Sequence, residues 1–266
     1  MDEGRSEWAG APLDRAEMAS GRLHDAIYAN LRQALVMGDL VPGQRFSMRA
    51  LADRFQTSLI PVRDALKRLV AERGLVMLPN RTVSVPLMTR ATFQELLQVR
   101  LSLESMLARR GAEAIARKQV EALAEINDVM QGAVGTGDVK QYLAANYRFH
   151  FGLYEAGDSQ VILPIVESLW MQIGPFLNAV FTNGGTKGAR DNHAEVLKAL
   201  RRRDSIAAGN AVMKDLADAA DVILATVAFI SDRTPDEDDE APQAPRAPRR
   251  LRASSRGVKE REEIES

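Results

Sequence analysis

The chain has 266 residues, a formal net charge of −1, 45% hydrophobic but only 5% aromatic residues, and no cysteine. That length holds one large or two modest domains, and the composition predicts helices packed through Leu, Ala, Val and Met. The missing cysteines exclude a disulfide scaffold, a thiolate metal site and a cysteine nucleophile. The longest apolar run, Val222 to Ile230, falls far short of the ~20 residues that span a bilayer. Acidic residues open the chain where a signal peptide carries a basic region. A soluble cytoplasmic protein with no membrane partner is expected.

Residues 1–20 show no stable period and are expected to be a mobile arm. Leu23, Ile27, Leu31 and Leu35 lie one turn apart and predict a helix to about Met37, ended by Gly38-Asp39. Two short helices joined by a tight turn follow. The first has an apolar stripe of Leu51, Ala52 and Phe55, the second one of Val62, Ala65, Leu66 and Leu69. Ser47 and Ser58 stand where N-caps belong. After Gly74 the period becomes extended: Leu75 to Leu78, a Pro79-Asn80-Arg81 turn and Thr82 to Val85 predict a two-stranded wing. Gly21 to Arg90 contains 11 Arg and Lys against 5 Asp and Glu, a local +6 in a chain of net −1. Such a local excess is the footprint of phosphate contact, because neutralised phosphates release condensed counterions.

Beyond the wing only helical periods are found. Thr89 caps a helix to about Ala116, and others are expected over Val120–Gln131, Val139–Ala156, Gln160–Phe181, Lys187–Arg202 and Ser205–Ile230. Short glycine-bearing connections make successive helices antiparallel neighbours, and Pro175 should kink its helix. From Asp232 an acidic block gives way to a Pro, Arg and Ser-rich segment that cannot bury a core. The fold class expected is mainly α: a winged helix-turn-helix (three helices plus a small β-wing), then an all-α six-helix bundle. Boundaries are set at 1–20 for the arm, 21–88 for the DNA-binding domain, 89–231 for the bundle and 232–266 for a disordered acidic then basic tail, which is either inert or adds non-specific DNA affinity.

Two of the three histidines, His150 and His193, fall in the bundle, and Asn146 precedes His150 by one turn on the same helix face. Arg100 lies on the apolar stripe of Phe93, Leu96, Leu97, Leu103 and Leu107, where an unpaired guanidinium is costly. Its partner is either Glu104, one turn on, or the carboxylate of an effector.

The pattern S-x-x-x-L-A-x-x-x-x-x-S-x-x-P-V-R-x-A-L-x-R-L from Ser47, followed by the P-N-R wing, resembles the winged helix-turn-helix of the GntR family of transcription regulators. The segments NYRFHFGLYEAG, HAEVLKALRRRD and NAVMKDLADAA resemble that family's C-terminal FCD domain, of FadR type. The resemblance implies DNA contacts by Arg49, Ser58, Arg63 and Arg81. Two departures stand out: Leu59 occupies the place of a common base-reading arginine, and Arg73-Gly74 moves the helix-ending glycine by one place. The resemblance also implies that Asn146, His150, His193 and Asp215 hold one divalent metal, Zn, Ni or Mn, with Arg100 receiving an anionic effector beside it. Neutral imidazoles with carboxylate and amide oxygens make a mixed shell suited to such ions. Asp215, where His is commoner, makes that shell harder and more anionic. The bland alternative is a pair of core histidines with a capping Asn and a surface Asp.

The expected function is a homodimeric DNA-binding regulator, a repressor, that binds a two-fold operator and responds to an organic-acid effector. No catalytic residues are assigned. The alternatives are a metal-dependent helical-bundle enzyme or metal-binding protein with an inert winged helix, and a helical interaction module. No Glu-x-x-His pairs of a di-iron bundle support the first.

Overall fold

A computed structural model of the chain describes residues 23–79, 82–182 and 192–230, all within one compact unit. The expected arm and tail, the tip of the wing and the segment before His193 lie outside the described residues. Those described form nine helices and three short strands.

Helix α1 (Leu23–Val36) buries Ile27, Leu31, Ala34 and Leu35 against the helix-turn-helix. Strand β1 (Arg45–Ser47), helix α2 (Met48–Arg54) and helix α3 (Leu59–Ala71) follow. The stripe on α3, Val62, Ala65, Leu66 and Leu69, is wholly buried and packs on α1. Strands β2 (Val76–Met77) and β3 (Thr82–Ser84) form the wing. The sheet is three-stranded, in the order β1-β3-β2, because Arg45 to Ser47 pair antiparallel with Ser84 to Thr82. The expectation of two strands missed β1, whose three residues are too short to show a period and whose partner lies far along the chain.

Two local details also differ from expectation. Ser47 does cap α2, its hydroxyl accepting from the Ala50 amide at 3.0 Å, but the Ser58 side chain makes no cap hydrogen bond to α3. The left-handed residue after α3 is Arg73 (φ 61°), not Gly74. Gly74 serves close approach instead: a Cβ there would lie 3.1 Å from the Leu35 side chain.

The second half comprises α4 (Arg90–Ala114), α5 (Arg117–Thr136), α6 (Val139–Glu155), α7 (Ile162–Thr182), α8 (Asn192–Arg201) and α9 (Ser205–Thr226). Side chains fix their starts: Thr89 accepts from the Thr92 amide, Asp138 from Gln141 and Asp204 from Ala207, each satisfying a first-turn donor. Gly137, at φ 76°, ends α5 in the left-handed conformation that glycine adopts without strain. Helix α4 packs on α9, α5 on α6 and α8 on α9. Gly111 lets α4 cross α6 so tightly that a Cβ would fall 2.1 Å from the Leu153 carbonyl oxygen. The last helix ends at Thr226 rather than Ile230; the chain then extends, and Ile230 donates its amide to the Met88 carbonyl at 3.1 Å.

The two halves touch through α1 and α7. A Cβ on Gly174 would sit 2.2 Å from the Leu35 carbonyl oxygen. Arg32 pairs with Glu167 at 3.2 Å, and the Ser168 hydroxyl donates to the Glu72 carbonyl at 2.9 Å.

Candidate functional sites

The first site is the outer face of the helix-turn-helix. Burying one stripe of α3 leaves Leu59, Ile60, Arg63, Asp64, Lys67 and Arg68 on the other face, with Arg49 exposed on α2. Arg63 Nε is 3.6 Å from Asp64, and Lys67 approaches the same carboxylate at 3.9 Å; such loose exposed pairs contribute little and are easily exchanged for phosphate. Arg68 is engaged elsewhere, stacked 3.7 Å over the Tyr28 ring and donating to Glu72 at 3.0 Å. Leu59 and Ile60 are 53% and 62% exposed, an uncovered apolar pair in the first turn of the helix. Ser58 precedes them with its hydroxyl uncommitted to the cap, and Arg81 lies outside the described residues. The helix start also offers first-turn amides without intrahelical acceptors, which suits a phosphate.

The second site lies inside the bundle. Helix α6 projects Asn146, His150 and Tyr154 from one face, α8 brings His193, α9 brings Asp215, and α4 brings Arg100 and Glu104. One donor atom from each of His150, His193 and Asp215 lies within 4.8 Å of the others. His150 Nε2 is 3.2 Å and His193 Nε2 3.9 Å from Asp215 Oδ2, and His193 Nε2 is 3.0 Å from Asn146 Oδ1. All four residues named from the sequence therefore converge. Burial alone opposes ionisation of Asp215, yet the imidazoles of His193 and His150 and the Arg100 guanidinium outweigh it and hold the carboxyl at about 2. The cluster is one anionic oxygen, one amide oxygen and two imidazoles, a donor set that fits a divalent cation of borderline softness. A cation at His193 Nε2 would displace the hydrogen that this nitrogen directs at Asn146.

Behind the cluster stands a polar group that the sequence only half revealed. Arg100 Nε donates to Glu104 at 2.6 Å, the one-turn partner named as the alternative to an effector. Tyr154 Oη and Trp170 Nε1 both donate to the other Glu104 oxygen, at 2.8 and 2.9 Å. These partners lie 50 and 66 residues from Glu104, beyond any local pattern, although Tyr154 continues the four-residue spacing of Asn146 and His150. One Arg100 nitrogen, Nη2, is buried with no hydrogen-bond acceptor among the described residues. Arg100, Asn146, His150, Trp170 and Asp215 line a cavity of about 40 Å³ walled by Leu177, Val180 and Leu216. At roughly 10–15 Å³ for each water-sized group, that is room for about three.

A winged helix-turn-helix with an exposed basic reading helix, carried on a helical bundle with a buried polar site, is the architecture of a DNA-binding transcription regulator. The comparisons with known proteins agree. Residues 23–85 match the bacterial regulatory proteins, gntR family, and residues 95–218 match the FCD domain. An HTH-type transcriptional regulator from the TAR-I ttuE-ttuC' intergenic region of Agrobacterium vitis is 30% identical over 136 residues, half of this chain and 78% of that protein. The HTH-type transcriptional regulator McbR of Escherichia coli (strain K12) is 28% identical over 178 residues, 66% of this chain and 80% of that protein. In fold, the chain is similar to the solved structure of E. coli McbR/YncC, with a TM-score of 0.71 at 24% identity over 76% of this chain and 96% of that one. It is also similar to a regulator from Rhodococcus sp. RHA1, with a TM-score of 0.65 at 23% identity over 77% and 99% of the two chains. The protein belongs to the GntR family of bacterial transcription regulators, with an FCD domain following the winged helix. It is a DNA-binding regulator and not an enzyme, so the enzyme and interaction-module alternatives fall away. Among the described residues no helix is long and apolar enough to cross a membrane.

Proposed function

We propose that this regulator is a homodimeric repressor whose residues 21–88 grip a two-fold operator and whose residues 89–231 dimerise and bind a small carboxylate effector beside a divalent metal. The observation that carries the reading is the convergence of His150, His193 and Asp215 next to a buried Arg100 nitrogen that lacks an acceptor. Repression is supported by relatives whose names say as much, the transcriptional repressor RspR of Escherichia coli (25% identical) and the gluconate operon transcriptional repressor of Bacillus subtilis (26% identical). One winged domain meets only a few base pairs, so useful affinity needs two half-sites about one helical turn apart.

In this reading Asn146, His150, His193 and Asp215 would hold the metal, which would supply a Lewis-acidic centre for an anionic oxygen. Arg100 offers its Nη2 to a carboxylate beside that site, while Leu177, Val180 and Leu216 keep bulk water out. Arg49, Ser58 and Arg63, with Arg81 of the wing, hold the backbone, and base edges are left to the start of α3. The effector controls DNA affinity only by binding two conformations differently, and helices α4, α6, α8 and α9 meet at its site. Helix α4 continues directly from the wing, so a shift of its register moves the readers.

Metal analysis after saturation with Zn²⁺, Ni²⁺ or Mn²⁺ tests the site. One ion per chain is expected, and none would overturn the reading. The double change His150→Ala, His193→Ala should abolish both metal uptake and the effector response while leaving operator affinity within about twofold of the parent, since neither residue approaches the DNA-binding face.

A further inference from the structure

We propose that Glu104, acting through Tyr154, fixes His150 in the tautomer with its proton on Nδ1 and so turns the Nε2 lone pair toward the cation site. The proposal rests on the metal reading above and names two positioning residues that touch neither metal nor effector. Glu104 is fully buried and receives Arg100 Nε on one oxygen and Tyr154 and Trp170 on the other. Guanidinium and indole have only donors to offer, and a carboxylate gripped on both oxygens has only lone pairs to give. The single Tyr154 hydroxyl proton is therefore committed to Glu104. The same Tyr154 oxygen lies 3.1 Å from His150 Nδ1, with both groups buried, so it accepts and Nδ1 carries the hydrogen.

The opposite order would set a Tyr154 lone pair against a Glu104 oxygen at 2.8 Å with no water to relieve it, the costly case of a buried acceptor facing an acceptor. His150 Nε2 is then the ring atom left for a cation; until one binds it faces the Asp215 carboxylate at 3.2 Å, an acceptor that a hydrogen on Nε2 would satisfy. This is the carboxylate-to-imidazole arrangement that orients metal-bound histidines, here with a tyrosine interposed. Because Arg100 shares the same carboxylate, one buried anion sets the geometry of both the cation end and the anion end of the cavity.

Two measurements on the full chain decide it. In Ni²⁺ titration calorimetry, Tyr154→Phe should weaken metal binding roughly 10- to 100-fold, as loss of such a partner does elsewhere; affinity within twofold of the parent would overturn the proposal. Glu104→Gln should act in the same direction, because an amide must turn its NH2 toward Arg100 or toward Tyr154 and Trp170. Either change removes a buried hydrogen bond and lowers the melting temperature whatever the role, so the discriminating readout is the tautomer. Long-range ¹H–¹⁵N spectra of histidine-labelled parent protein at pH 8, assigned with His150→Ala, should place the His150 hydrogen on Nδ1. A His150 Nδ1 without a hydrogen would overturn the proposal even if metal binds. A parent that takes up no Ni²⁺ but carries the Nδ1 hydrogen would refute the metal reading while upholding the Glu104–Tyr154–His150 order.

Discussion

Arg63 stands half exposed on the free face of α3 with no partner among the described residues nearer than 3.6 Å, so the described fold does not depend on it. Arg63→Ala should weaken operator binding by about 1–3 kcal/mol in gel shifts at ~150 mM salt and leave the melting temperature unchanged. The neighbouring apolar pair predicts what the operator offers. With Leu59 and Ile60 uncovered, and Leu59 in the place where the family resemblance implies a base-reading arginine, the complementary groove feature is the thymine methyl. Replacing thymine by uracil at that step of a selected operator deletes only the methyl. Affinity should fall severalfold, and an unchanged affinity would show the pair idle. At this scale the four converging side chains were legible from spacing and family pattern, whereas the groups behind them were not. Glu104 could be named as a one-turn partner of Arg100, but its tyrosine and tryptophan come from other helices, and no local rule pairs residues across such separations.

Among elements, the crossing of α1 and α7 is the tightest constraint between the DNA-binding half and the helical bundle. Gly174 is irreplaceable there, since a Cβ at 2.2 Å from the Leu35 carbonyl meets backbone that cannot rotate away. Gly174→Ala should cost about 1–3 kcal/mol as overpacking does, seen as a lowered melting temperature. Nearby, α1 is pinned to α3 by Tyr28, which donates to Glu72 at 2.6 Å. Burial and that bond push the phenol up to about 12, so the neutral form is the one folding favours. Its contribution is complete below the ordinary pKa near 10 and is lost as pH rises through 12. Tyr28→Phe should therefore flatten the alkaline limb of the stability profile between pH 10 and 12, which urea melts across that range would reveal. The helices were legible to within a few residues because their apolar stripes are long. Strand β1 was not, having three residues and a distant partner. Nor was the exchange of roles between Arg73 and Gly74, because the left-handed turn and the close approach fall on adjacent positions, and glycine was needed more for space than for conformation.

At the scale of the molecule, α4 exposes Val99 and Met106, seven residues apart on one face at 41% and 48%, and α9, which packs on α4, exposes Ile206 at 65%. This is the surface on which we expect two chains to meet. Light scattering of the full chain at micromolar concentration should give about twice the 29.3 kDa monomer mass, and Met106→Asp should lower it toward one chain. A monomer mass for the parent would remove the basis for a two-fold operator.

The chain that leaves the wing and the chain that leaves the last helix are joined where Ile230 meets Met88. Around that join, Arg90 reaches the Leu224 carbonyl at 2.8 Å and Phe229 lies against Phe93 at 5.4 Å between ring centroids. The helix that supplies Asp215 to the buried cluster thus ends by gripping the strip of backbone that leads from the DNA-binding half. One amide proton becomes a clock for the whole device. The Ile230 N–H should exchange with deuterium only when that grip opens, at a rate set by the local opening equilibrium rather than by global unfolding. Metal that steadies α9 should slow this one exchange, long before any helix melts.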